Sequence, residues 1–156
     1  MSGTEKSSTT RRNLLQAAAT GGAATALLGG LGINPALAAA RCDDLTPLVY
    51  RRLFEEHPEA AAMFRTEGSE LVKGSMLAMT IEAILDFAGE RSGKFRMIEC
   101  EVASHDAYGT PRELFVAFFG IIAQTLREIV GADWSDEIDA AWRKMLGDIE
   151  HFVAAR

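Results

Sequence analysis

The chain has 156 residues, of which 48 % are apolar and 24 % charged, and its formal net charge is −6. That length supports one core without staples, and that balance excludes a disordered or polybasic protein, so a single soluble domain is expected. Nucleic acid and anionic membrane surfaces are poor partners for an acidic chain, and its two cysteines, Cys42 and Cys100, are too few for a four-thiolate metal site.

At the amino terminus, Thr10-Arg11-Arg12-Asn13-Leu14-Leu15 sets two adjacent arginines ahead of an uncharged run reaching Leu37, and no charge returns until Arg41. The run is rich in Ala, Gly and Thr, is broken at Asn34-Pro35, and ends in Ala36-Leu37-Ala38, a small-x-small cleavage site. Gly21, Gly22, Gly29, Gly30 and Gly32 make it a poor spanning helix, which favours a cleaved leader over a membrane anchor. Arg41 stands directly before Cys42, where a lipoprotein site needs a small residue. The segment resembles the bacterial twin-arginine export signal. The resemblance implies a leader over residues 1–38 and a folded domain over 39–156, delivered to the periplasm and free of the membrane after cleavage.

Beyond Asp43 the apolar residues repeat at helical spacing and no stretch alternates as a half-buried strand does, so the domain is expected to be all-α. A first helix should run from Asp44 to His57 on Leu45, Leu48, Val49 and Leu53, with Pro58 ending it. A longer one follows Gly68-Ser69 and reaches about Gly89, on Leu71, Met76, Leu77, Ile81, Ile84 and Leu85, until Arg91-Ser92-Gly93 breaks it. A short third helix spans Lys94 to about Ala107 and stops at Gly109. Thr110-Pro111-Arg112-Glu113 then combines a capping threonine, a proline at the first helical position and a capping-box glutamate. The helix it starts carries Leu114, Phe115, Phe118, Phe119, Ile122, Leu126 and Ile129. Ser135 should cap the last helix, whose buried stripe is Ile138, Ala141, Trp142, Met145, Ile149, Phe152 and Val153.

Three histidines follow the leader: His57 at a proline corner, His151 just after Asp148 and Glu150 on a solvated face, and His105. Only His105, late in a short helix, before a glycine break and facing two apolar helices, is placed to project an imidazole into a lined cavity. A structural histidine and a metal ligand both fit that placement. The chain shows neither a pair of metal ligands at helical spacing, nor a Gly-rich phosphate loop, nor a Ser-His-Asp or Cys-His set.

Several stretches taken in order carry a resemblance. Tyr50-Arg51-Arg52-Leu53-Phe54, His57-Pro58-Glu59 and Phe64, then Lys73-Gly74-Ser75-Met76-Leu77-Ala78-Met79-Thr80, then Ser104-His105-Asp106-Ala107-Tyr108-Gly109, and finally Gly131-Ala132-Asp133-Trp134 with Asp139-Ala140-Ala141-Trp142 resemble the bacterial single-domain globins and the globin domains of flavohaemoglobins. The likeness covers Asp44 to the end. It implies a globin-like fold and a haem b held by His105, with Phe64, Leu77, Met97, Val102, Phe115, Phe118 and Met145 around the ring. Neither cysteine begins a Cys-x-x-Cys-His run, so the haem would be non-covalent. Tyr50 resembles the distal tyrosine that donates to a bound gas, and packing alone would also account for a buried tyrosine. Lys73 stands where relatives place Gln or His, and either covers the iron or reaches to a propionate or solvent. Arg91, Lys94 and Arg96 are further propionate candidates.

Other departures bear on activity. Once the leader is removed, too little chain precedes Asp43 for the first globin helix, so that helix is expected to be shortened or missing, and the apolar surface left would suit a homodimer. Phe115 replaces the proximal tyrosine of the flavohaemoglobin pattern, which makes the axial imidazole a weaker donor and disfavours peroxidase-like cleavage. The sequence carries no flavin or nicotinamide domain, so turnover would need an external reductase. The expected function is therefore reversible binding of O2, NO or CO. A nitric oxide dioxygenase or weak peroxidase, and a haem-free helical interaction module, are the alternatives. In an oxidising compartment Cys42 and Cys100 would be free to pair, within one chain or between two.

Overall fold

The computed structural model describes residues 44–64 and 69–156, so the leader and Cys42 lie outside the described residues. Five α-helices and two 3-10 turns make up the domain, and no strand occurs among the described residues. Helix α1 is Thr46–Glu56, α2 is Ser69–Ala88, α3 is Arg96–Ala107, α4 is Arg112–Val130 and α5 is Asp136–Ala154. The turns are Pro58–Phe64, after α1, and Gly131–Asp133, after α4.

The helix ends follow local chemistry. At α1 the Thr46 N–H donates to Asp44 Oδ1 at 3.0 Å, one orphan donor satisfied, and the His57 N–H closes the last turn on Leu53 O at 2.7 Å before Pro58 stops the chain. Between α2 and α3 the buried Asp86 accepts from Ser92 N–H (2.7 Å), Ser92 Oγ (2.5 Å), Gly93 N–H (3.1 Å) and Phe95 N–H (2.8 Å). One carboxylate thus folds the whole connection, and Gly93 takes the φ of +130° that a side chain would resist. Helix α3 ends in a glycine cap of the Schellman type. Gly109, at φ +76°, donates to Asp106 O at 3.0 Å while Thr110 N–H donates to His105 O at 2.9 Å.

At the start of α4 the capping threonine expected from the sequence is not used. Pro111 is itself the cap residue, its carbonyl accepting from Leu114 and Phe115 N–H at 3.0 and 3.1 Å, with no side-chain cap. Thr110 has been drawn away: its backbone closes the end of α3 and its hydroxyl lies 3.9 Å from Met63 Sδ. Ser135 does cap α5, its hydroxyl accepting from Ile138 N–H at 3.3 Å.

Helix α4 is the centre of the packing and touches α1, α3 and α5. With the turn after it, Arg112–Asp133 is long and apolar enough to cross a membrane, the one such helix among the described residues, and here part of that apolar surface is buried against its three neighbours. Ile121 and Ile122 of α4, Ile149 and Val153 of α5 and Val49 of α1 are the largest completely enclosed side chains. Helix α2 contacts α1 and α3. Arg112 joins three elements, pairing with Asp106 of α3 through both Nε and Nη2 and donating from Nη1 to Val153 O at 3.5 Å.

Candidate functional site

A cleft of about 670 Å³ opens between α2, with the turn that precedes it, and the α3–α4 pair. This is within the range of small-molecule and cofactor pockets. Its walls are Leu53 of α1; Ala60, Met63 and Phe64 of the turn; Val72, Met76, Met79, Thr80 and Ala83 of α2; Met97, Ile98, Glu101, Ser104 and His105 of α3; Tyr108 and Thr110; and Leu114, Phe115, Phe118 and Phe119 of α4. Large apolar side chains exposed on the described surface are Met63, Leu71, Val72, Met79 and Tyr108, and all but Leu71 lie on this cleft. The domain's unpaired apolar surface is therefore gathered in one place, the arrangement expected where an apolar group is to be covered.

His105 enters from the last turn of α3. Its Nδ1 lies 2.7 Å from the carbonyl oxygen of Glu101, one turn back. A carbonyl only accepts, so Nδ1 carries the hydrogen and Nε2 of the neutral ring keeps its lone pair. The Phe115 ring meets the imidazole edge-on with centroids 5.0 Å apart and limits its rotation. The backbone of His105 is fixed as well, since its carbonyl accepts from both Tyr108 and Thr110 N–H.

The cleft is poor in charge. Among the described residues, Glu101, His105 and Tyr108 are its ionisable side chains and no Lys or Arg lines it. Among the described residues there is no cluster of three or more His, Cys, Asp or Glu able to hold a metal. A lone imidazole over an apolar slot suits a metal that brings its own equatorial ligands, which is the case of an iron porphyrin. The donor set and the apolar walls thus fit haem.

The residues nominated from the sequence divide between this cleft and the core behind it. Phe64, Met97, Phe115 and Phe118 line the cleft together with His105. Leu77, Val102 and Met145 instead lie in the core cluster, each 5 % exposed or less, and are not among the cleft walls. Tyr50 is also buried, its ring packed against Phe64 and Phe118 at centroid distances of 5.3 and 5.5 Å, and its hydroxyl has no hydrogen-bond partner among the described residues. Burial, with the Glu70 carboxylate nearby, raises the phenol above its ordinary pKa.

Lys73 is turned off the cleft. Its ammonium pairs with Glu70 Oε1 at 2.7 Å and stands over the rings of Phe54, Tyr50 and Phe64, 5.2, 5.8 and 5.9 Å from their centroids. With Lys73 and Leu77 facing elsewhere, the stripe of α2 on the cleft is Val72, Met76, Met79, Thr80 and Ala83. Those residues recur at three- and four-residue spacing, a signal present in the sequence but displaced about one position from the stripe on which Lys73 and Leu77 lie. The basic residues of the α2–α3 connection have local partners too. Arg91 donates to Phe87 O and stacks 4.4 Å from the Phe87 ring centroid, and Lys94 pairs with Glu82 at 3.2 Å.

No curated protein and no solved structure matches the chain. A family model described as Globin matches residues 48–153, which runs from within α1 to within α5 and takes in the whole of the cleft, and on that match the chain belongs to the globin family.

Proposed function

We propose that this globin binds haem b non-covalently through His105 Nε2 and reversibly holds a diatomic gas, O2, NO or CO. The observation that carries the reading is the His105 ring, held by Glu101 O and Phe115 at an apolar cleft, with no hydrogen bond to its other nitrogen among the described residues. When bound, haem would supply the iron that takes the gas.

The chain's own residues account for the rest. The carbonyl of Glu101 fixes the tautomer and strengthens the imidazole as a donor. Phe64, Met97, Phe115 and Phe118 make the cleft walls apolar, which would favour uptake of an apolar macrocycle and shield it from water. The Tyr50 hydroxyl, buried and without a partner among the described residues, holds its proton firmly and can donate without being ionised. A separate reductase would return the iron to its gas-binding state. Export by the twin-arginine route to the periplasm, with cleavage after residue 38, is part of the same reading and rests on Arg11-Arg12 and Ala36-Leu37-Ala38. Amino-terminal sequencing of periplasmic protein should begin near Ala39, and a sequence beginning at Met1 or Ser2 overturns the export route.

The test of the haem site is an absorption spectrum of the purified chain, reduced and then exposed to carbon monoxide. A Soret band that shifts with carbon monoxide, and that His105→Ala abolishes or moves, is the expected result. A chain that takes up no haem, or a spectrum indifferent to His105→Ala, leaves a helical interaction module in place of a gas-binding protein.

A further inference from the structure

Resting on the haem reading above, the α2 wall offers the iron a second ligand. We infer that Met76, through its thioether sulfur, is a sixth ligand that an incoming gas must displace. Four of the chain's methionines, Met63, Met76, Met79 and Met97, share the cleft with His105. The position where a nitrogen donor was expected on α2 is spent, since the Lys73 ammonium is held by Glu70 and three aromatic rings.

Of the α2 residues that do line the cleft, Val72 and Ala83 have no donor atom. The Thr80 hydroxyl is committed to the carbonyl of Met76 at 2.7 Å. Thioether sulfur is therefore the donor that this wall has to give. Met97 rises from α3, the same helix as His105, and cannot stand on the other side of a flat ring from it. Met63 is 46 % exposed, with its sulfur near the Thr110 hydroxyl, and Met79 is 39 % exposed at the rim. Met76 is the half-buried methionine of the stripe.

A thioether is a soft, neutral donor on an unbranched side chain, able to swing into or out of a ligand position at small cost. Donation of a sulfur lone pair to iron moves no proton and changes no oxidation state. A His and Met pair raises the reduction potential relative to one imidazole alone. A closed form that is nine-tenths populated would also weaken the apparent affinity for the gas about tenfold, because only the open fraction binds.

The experiment uses the full chain loaded with haem and compares it with Met76→Leu, a swap of similar volume. The wild type should be six-coordinate and low-spin in both oxidation states, with a sulfur-to-iron charge-transfer band in the ferric spectrum. Met76→Leu should lose that band, become high-spin, fall in midpoint potential and bind carbon monoxide about tenfold more tightly. The wild-type spectrum stands as a test whether or not the variant folds. A loaded wild type that is five-coordinate, or a low-spin spectrum unchanged in Met76→Leu, overturns the thioether ligand while leaving the haem reading intact. A chain that binds no haem overturns both.

Discussion

The two sides of α4 use the same kinds of residue to opposite ends. Toward α1 and α5, Ile121, Ile122, Ile149, Val49 and Val153 pack until each is at most 2 % exposed. Toward α2 and α3, Phe115 and Phe118 reach a gap whose other walls include the exposed Met63, Val72 and Met79. A chain able to close its first half that tightly does not leave the second open for want of apolar side chains. The open half is shaped otherwise: α2 and α3 are joined by the Asp86 connection, and between α2 and the α3–α4 pair lies a cleft that side chains do not fill.

Large-to-small changes should therefore sort by half. Ile149→Ala, at the sealed side, is expected to cost about 2–5 kcal/mol through lost burial and the cavity left behind. Met79→Ala, on the open wall, should stay within about 0.5 kcal/mol in the haem-free chain and yet weaken haem uptake. Urea unfolding with and without haem measures both. Equal losses in the haem-free chain would show that the cleft is packed in solution and would remove the distinction.

Between the halves in size stands the effect of Asp86, the pivot of the open side. Burial by itself would raise its carboxyl, but the hydrogen bonds from Ser92 Oγ and from Phe95, Ser92 and Gly93 N–H outweigh it and bring the pKa from 3.8 to about 2. A folded-state value below the unfolded one stabilises the ionised protein above pH 4, and that contribution disappears as the pH falls through 2. The shift corresponds to roughly 2 kcal/mol. Asp86→Asn should lower stability at pH 7 by about that amount and flatten the loss of stability between pH 4 and 2, as read from urea midpoints across a pH series. An unchanged acid limb in the variant would mean that the carboxylate does not hold the α2–α3 connection together.

How far the sequence was readable follows the same division. Helices with one apolar stripe and polar flanks, such as α5 on Ile138, Trp142, Met145, Ile149 and Val153, were legible because periodicity and burial carry the same information. Pro58 and Gly109 likewise marked real helix ends. Helix α2 is apolar on several faces, so periodicity alone did not show which stripe would meet the cleft, and Lys73, expected over the iron or reaching to a propionate or solvent, found an aromatic bed and a carboxylate partner three residues away. Leu77, Val102 and Met145 have the composition of cofactor walls and of core alike; only the rotation of their helices separates the two. Asp86 was not legible as a cap at all, because its donors come from six to nine residues ahead, beyond the reach of a local capping rule. Thr110 failed for the converse reason: the local rule was satisfied, but a competing glycine cap in the preceding helix had already claimed its backbone.

The smallest effect offers the cleanest check on that contrast between local and tertiary control. Ser135 caps α5 through a single hydroxyl-to-Ile138 bond, and the acidic Asp136, Glu137 and Asp139 that follow favour the positive end of the helix. The same serine hydroxyl holds the Glu137 carboxyl below its usual pKa. Ser135→Ala should cost about 1 kcal/mol, whereas Thr110→Ala, at a residue of the same capping class, should leave α4 as stable as before because Pro111 O already receives the first helical bonds. Paired urea midpoints decide it. If Thr110→Ala costs as much as Ser135→Ala, the hydroxyl is capping α4 after all and the competition between adjoining helix ends is not what displaced it.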